Sequence, residues 1–389
     1  MRKFIIIMIA SAFIAACGGS AGSPSAPPAP PGIVINPVPQ GSPTPTRAPT
    51  PTPKPTPTPS PTPIPTPTPQ PTLPPSGSVL VAVAATPPAM SIVSYSAPGN
   101  GHAIATTADG AVYVSQASNQ NTLLKFFGSM QTLTLPNGYF NVGYLTRGSD
   151  GAIWFSNSRG GLQAQAIGRV DASGTFSEYD IPWPMNAAPF GMNLGPDGNV
   201  WFAEFYEGRV GRITPAGTLT DYALGPGGHR PSDVAAGPDG NVWVVESADP
   251  TIERLSTSGT LLNTYNVGQN LFRIVAGPDG AMWFVDSNNV VGRIDMTGKL
   301  WLWPLPCYIP NYVNFCVPGY FQGDTDITVG PDGNLWFAAE NFQAIGRLTP
   351  MGVLNEWPVP QGSSPFSISS SGSNVIWVGG GNALGYITP

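Results

Sequence analysis

The sequence predicts an all-β fold, a seven-bladed β-propeller of four-stranded antiparallel blades. Three observations predict it. An aromatic residue recurs in a fixed register at Tyr113, Trp154, Trp201, Trp243, Trp283, Trp336 and Trp377. Between these positions short β-type runs alternate with Pro/Asp/Gly turns, without helical periodicity. The last copy stops at Thr388-Pro389, before its fourth strand. A repeat of roughly forty residues is the mark of a stacked or circular architecture.

The elements follow in chain order. Arg2 and Lys3 precede the apolar run Phe4 to Ile14, which is too short to span a bilayer as a helix. Ile14-Ala15-Ala16-Cys17 resembles a bacterial lipoprotein signal. That likeness implies cleavage after residue 16, lipidation of Cys17 and a membrane partner; an ordinary secretory signal is the alternative. In both cases the mature chain leaves the cytoplasm for the cell envelope. Residues 17–78 are poor in large apolar residues, and Pro43 to Pro71 nearly alternates Thr and Pro. Such a segment buries too little to offset its ordering entropy and reads as a stiff polyproline II tether.

Residues 79–389 form the propeller. In the copy around Asp233, Val234-Ala-Ala is a first strand, Gly237-Pro-Asp-Gly240 a turn, and Asn241 to Glu246 a second strand. Thr251 to Ser256 and Thr260 to Val267 complete the blade. Pro presets φ in the turn and Gly accepts its left-handed position. Met90 to Pro98 matches the fourth-strand pattern, so the N-terminal strand is expected to pair into the last blade and close the ring.

Charged residues make up 10% of the chain and the net charge is −6, so no basic face recommends a nucleic-acid partner. The chain reads as a monomer. Cys307 and Cys316, an even pair in an exported domain, are expected to form a disulfide. The segment between them carries aromatic residues, as expected of a loop at a binding mouth.

The copies resemble the virginiamycin B lyase (streptogramin lyase) family. The matching residues are Gly-Pro-Asp-Gly-Asn-Val/Leu-Trp-Phe-Ala at 195–203 and 330–338, and Ile/Val-Gly-Arg-Ile/Val/Leu at 167–170, 210–213, 291–294 and 345–348. The resemblance implies histidines at the start of innermost strands, a carboxylate fourteen residues later, and magnesium at one mouth of the channel. It also implies opening of a cyclic depsipeptide by elimination, with a histidine as base. Here the histidine position reads His102, Gly143, Phe190, Ser232, Phe272, Thr325 and Phe366, so His102 alone keeps the imidazole. It is the candidate catalytic base; a mouth-lining residue bonded to backbone is the alternative.

Fourteen residues on stand Gln116, Asn157, Glu204, Glu246, Asp286, Ala339 and Gly380. Glu204, Glu246 and Asp286 are candidate ligands for Mg²⁺ or Ca²⁺, which prefer oxygen donors; packing within the repeat is the alternative. Gln116, Asn157, Phe190, Ser232, Phe272 and Thr325 are candidate ligand-binding residues. The repeated Arg169, Arg212, Arg254, Arg293 and Arg347 fall on third strands and read as ion-pairing or packing residues. The function expected is a lipid-anchored binding module for a small-molecule, peptide or envelope ligand. A diverged metal-assisted lyase and a cell-envelope spacer are the alternatives.

Overall fold

The computed structural model describes residues 77–78, 82–83, 92–96 and 101–389, with breaks at 117–120, 137–141, 158–164, 183–186, 226–228, 269, 287–289, 306–325, 340–342 and 381–382. Cys17, Cys307, Cys316 and Thr325 lie outside the described residues. The described residues all fall in the compact unit Thr66–Pro389.

Seven antiparallel sheets follow one another along the chain. Blade 1 spans residues 101–134, blade 2 142–180, blade 3 189–223, blade 4 231–266, blade 5 271–304 and blade 6 327–358. Blade 7 contains Pro365–Ser371, Asn374–Gly379 and Ala383–Ile387, and its fourth strand is Ile92–Ser96. That strand runs antiparallel to Ala383–Ile387, with Ile92 opposite Ile387 and Ser96 opposite Ala383. The first strands pack side by side in ring order, and the first strand of blade 7 returns to Gly101–Thr106.

Two short pairings precede closure. Gly77 and Ser78 run parallel to Trp301 and Leu302 on the outer strand of blade 5. Ala82 and Val83 do the same against Val353 and Leu354 of blade 6. The first of these lies just ahead of residue 79, where the composition change puts the start of the propeller.

The core lies between blades. Ile104, Val114 and Leu124 of blade 1 meet Val378 and Leu384 of blade 7, and Trp154 and Ile167 of blade 2 meet Phe202 and Ile213 of blade 3. The register Trp of blades 2 to 7 is at most 1% exposed. Each large apolar side chain so buried contributes about 1.5–3 kcal/mol.

The repeated turn does more than reverse the chain. In blades 2 to 6 its Asp accepts the indole N–H of the Trp four residues later, at 2.9–3.1 Å. The same carboxylate pairs with the third-strand arginine: Arg169–Asp150, Arg212–Asp197, Arg254–Asp239, Arg293–Asp279 and Arg347–Asp332, at 2.5–3.6 Å. The repeat's Asp, Trp and Arg are therefore one unit, which ties turn, second strand and third strand together.

Candidate functional site

The first strands enclose a cavity of about 490 Å³ along the ring axis. In every blade but the sixth, the first strand enters it through an irregularity. The pairing of first and second strands shifts register between Gly101 and Ile104, Val142 and Leu145, Pro189 and Met192, Pro231 and Asp233, Leu271 and Arg273, and Pro365 and Ser367. A bulge of this kind re-aims side chains. The backbone groups it releases find side chains: the amides of Ala103 and Tyr144 donate to Ser115 Oγ and Ser156 Oγ at 3.0 and 2.9 Å.

The bulge determines which sequence positions reach the cavity. His102 and Phe366 line it, as does the residue after the histidine position in several blades: Tyr144, Asp233, Arg273, Asp326 and Ser367. Strict alternation along the strand hides this second set, which sequence reasoning missed. The signal available was the charged residue itself, since Asp233 and Arg273 interrupt first strands and Asp326 stands just ahead of one.

The lining divides by chemistry. On one side His102 and Tyr144 lie 5.6 Å apart between ring centroids, and beyond the lining residues the ring contacts continue from Tyr144 to Phe190 (5.3 Å) and from Phe190 to Phe205 (4.7 Å, stacked). On the other side blades 4 to 6 supply Asp233, Arg273 and Asp326. Arg273 Nε is 3.7 Å from Asp326, and its guanidinium lies 4.4 Å from the centre of the Tyr144 ring, linking the two halves. Asp233 accepts the amide of Ile274 at 3.1 Å. Asp326 accepts the Ser367 hydroxyl at 2.6 Å and the Ile368 amide at 3.1 Å. Burial pushes the Asp233 carboxyl up to about 7 against the pull of Arg273. Burial likewise raises Asp326, opposed by Arg273 and the Ser367 hydroxyl.

The other candidates lie elsewhere. Ser232 is buried and donates to the carbonyls of Leu271 and Val245. Phe272 does not line the cavity. None of the five polar residues fourteen positions on lines it either. Gln116 accepts from Thr122 at 2.9 Å, and Asn157 donates to Glu178 at 2.9 Å. Glu246 accepts the amide of Arg230, and Asp286 that of Val290. Glu204 lies against Gly211 of its own blade. Each is thus held within its blade or by the chain entering it. Glu204, Glu246 and Asp286 do not come together as one donor set, so their placement does not fit a shared Mg²⁺ or Ca²⁺ at the mouth.

Comparison with known proteins agrees with the seven-bladed fold. The model of the virginiamycin B lyase family matches residues 90–309. Selenomethionine-substituted virginiamycin B lyase from Staphylococcus aureus is 27% identical, with a TM-score of 0.68 over 77% of this chain and all of that one. A catalytically inactive variant of the same enzyme with quinupristin gives 28% and 0.68 over the same shares. A streptogramin B lyase structure gives 25% and 0.66, over 77% of this chain and 97% of that one. No curated protein matches in sequence.

Proposed function

The chain belongs to the virginiamycin B lyase family, and we propose that its propeller is an exported, Cys17-anchored binding module that receives an aromatic-bearing peptide or small molecule in the channel. The observation that carries this reading is the divided lining, with the adjoining rings of His102 and Tyr144 on blades 1 and 2 and, across from them, Asp233, Arg273 and Asp326. Rings give contact area at low entropic cost, and a few fixed charges orient what enters. A peptide with one aromatic face and exposed amides suits both halves.

Turnover is the second reading, favoured by His102 on the cavity wall beside Tyr144. In such a step His102 would take the α-proton of a cyclic depsipeptide, and its electron pair would form a double bond as the ester oxygen leaves as carboxylate. Phe190, Ser232, Phe272 and Phe366 offer no second imidazole, so binding without turnover is the reading preferred.

Quinupristin, with which the related enzyme was crystallised, tests both. Elimination linearises the ring without changing its mass, so the products must be separated by chromatography and identified by fragmentation. The binding reading expects saturable heat in calorimetry, lost in Tyr144→Ala, with quinupristin recovered intact. A linear product that disappears in His102→Ala would replace binding with catalysis. Absence of both heat and product would reject this ligand class.

A further inference from the structure

Blade 4 departs from the repeat by a paired exchange. In blades 2, 3, 5 and 6 a second-strand Phe stands opposite a third-strand Gly, as in Phe202 and Gly211. The ring lies so close that a Cβ on any of those glycines would meet it at 2.0–2.1 Å. In blade 4 the pair is Val244 and Glu253. The smaller Val releases the space of the ring, and the carboxylate side chain of Glu253 replaces the missing one of Gly. Glu253 is 1% exposed, in a position that is otherwise apolar. An isolated charge there would be costly to bury.

It is not isolated. The fully buried Glu246 and the side chain of His229 face it, and one donor atom from each lies within 4.8 Å of the others. His229 Nδ1 is 3.6 Å from Glu253 Oε1 and 3.8 Å from Glu246 Oε1. These separations exceed a hydrogen bond. They are close to the ~3.4 Å between donors that each sit about 2.1 Å from a tetrahedral ion. The Arg230 amide holds Glu246 Oε2 at 2.5 Å and leaves Oε1 to face the cluster. Glu246 Oε1, Glu253 Oε2 and His229 Nδ1 have no hydrogen-bond partner among the described residues.

We propose that His229, Glu246 and Glu253 bind one divalent transition-metal ion of the Zn²⁺ class inside blade 4. An imidazole with two carboxylates suits such an ion, whereas Ca²⁺ and Mg²⁺ favour oxygen alone. None of the three lines the channel, so the site stands apart from the proposed ligand site. His229, at 15% side-chain exposure, is its route to solvent.

The test uses untagged, chelator-stripped protein titrated calorimetrically with ZnCl₂, then with MnCl₂, CaCl₂ and MgCl₂. Zn²⁺ is expected to bind one per chain and to raise the melting temperature. Glu253→Gln is expected to weaken binding at least ten-fold and to remove that rise, whereas Glu204→Gln leaves both intact. His229→Asn provides the same reading if the Glu253 variant does not fold. Absence of saturable Zn²⁺ binding, unchanged affinity in Glu253→Gln or His229→Asn, or a preference for Ca²⁺ or Mg²⁺ would each overturn the site.

Discussion

Glu356 stands on the fourth strand of blade 6 opposite Gly346, and burial raises its carboxyl from 4.5 to about 7. Below 4.5 both folded and unfolded chains hold the proton. Between 4.5 and about 7 the folded protein keeps a proton that the unfolded chain has released, so stability falls as pH rises through that window. Each pH unit crossed well inside it costs about 1.4 kcal/mol. The expected outcome is a lower urea midpoint at pH 8 than at pH 5. Glu356→Gln should narrow the gap by raising the pH 8 value. A gap unchanged by Glu356→Gln would remove Glu356 as its source. Arg273 has the opposite role, since it compensates Asp233 and Asp326 in the channel. Arg273→Met should cost about 3–5 kcal/mol at pH 8, as expected for breaking a buried pair. The loss should be smaller at pH 5, where the raised Asp233 is protonated; equal losses would argue against electrostatic compensation. At this scale the sequence was half legible. His102 followed from its place in the repeat. Tyr144, Asp233 and Arg273 did not, because the bulge brings in a position that alternation assigns to the other face; neither did Asp326, which stands just ahead of the strand Ile327–Val329.

At the scale of the strand pair, turn and Trp positions were legible because turn chemistry is local and the aromatic register is periodic. The three-way role of the turn Asp was not, since Pro-Asp-Gly already explains itself as a turn and the Arg partner is many residues away. The Phe–Gly pairing was also hidden, because cross-strand complementarity links positions that periodicity treats separately. It makes a coupled prediction in blade 4. Val244→Phe alone should crowd Glu253, and Glu253→Gly alone should leave a void beside Val244. Together they restore the pairing seen in blades 2, 3, 5 and 6. Urea denaturation of the cycle should give a favourable coupling of about 0.5–3 kcal/mol, and simple additivity would show that the two positions do not share one space. The reverse intrusion, Gly346→Ala against the Phe337 ring, should cost about 1–3 kcal/mol by overpacking.

For the whole molecule, the missing last strand of the repeat was legible as a closure signal, and Ile92–Ser96 occupies that place beside Ala383–Ile387. The two-residue pairings at blades 5 and 6 were not legible, since Gly77-Ser78 and Ala82-Val83 carry no strand pattern of their own. These unequal contributions can be separated by truncation. A chain beginning at Pro88 loses both short pairings but keeps Ile92–Ser96, and its melting temperature should fall only slightly. A chain beginning at Pro98 also loses the closing strand. It exposes the hydrogen-bonding edge of Ala383–Ile387, which is a template for pairing with another chain. This second truncation should melt markedly lower in calorimetry and self-associate in size-exclusion chromatography. A synthetic peptide of residues 88–98 should reverse both effects by adding the strand in trans. A monomeric Pro98 chain with an unchanged melting temperature would mean that inter-blade packing of Val378 and Leu384 against blade 1 holds the ring shut without its closing strand.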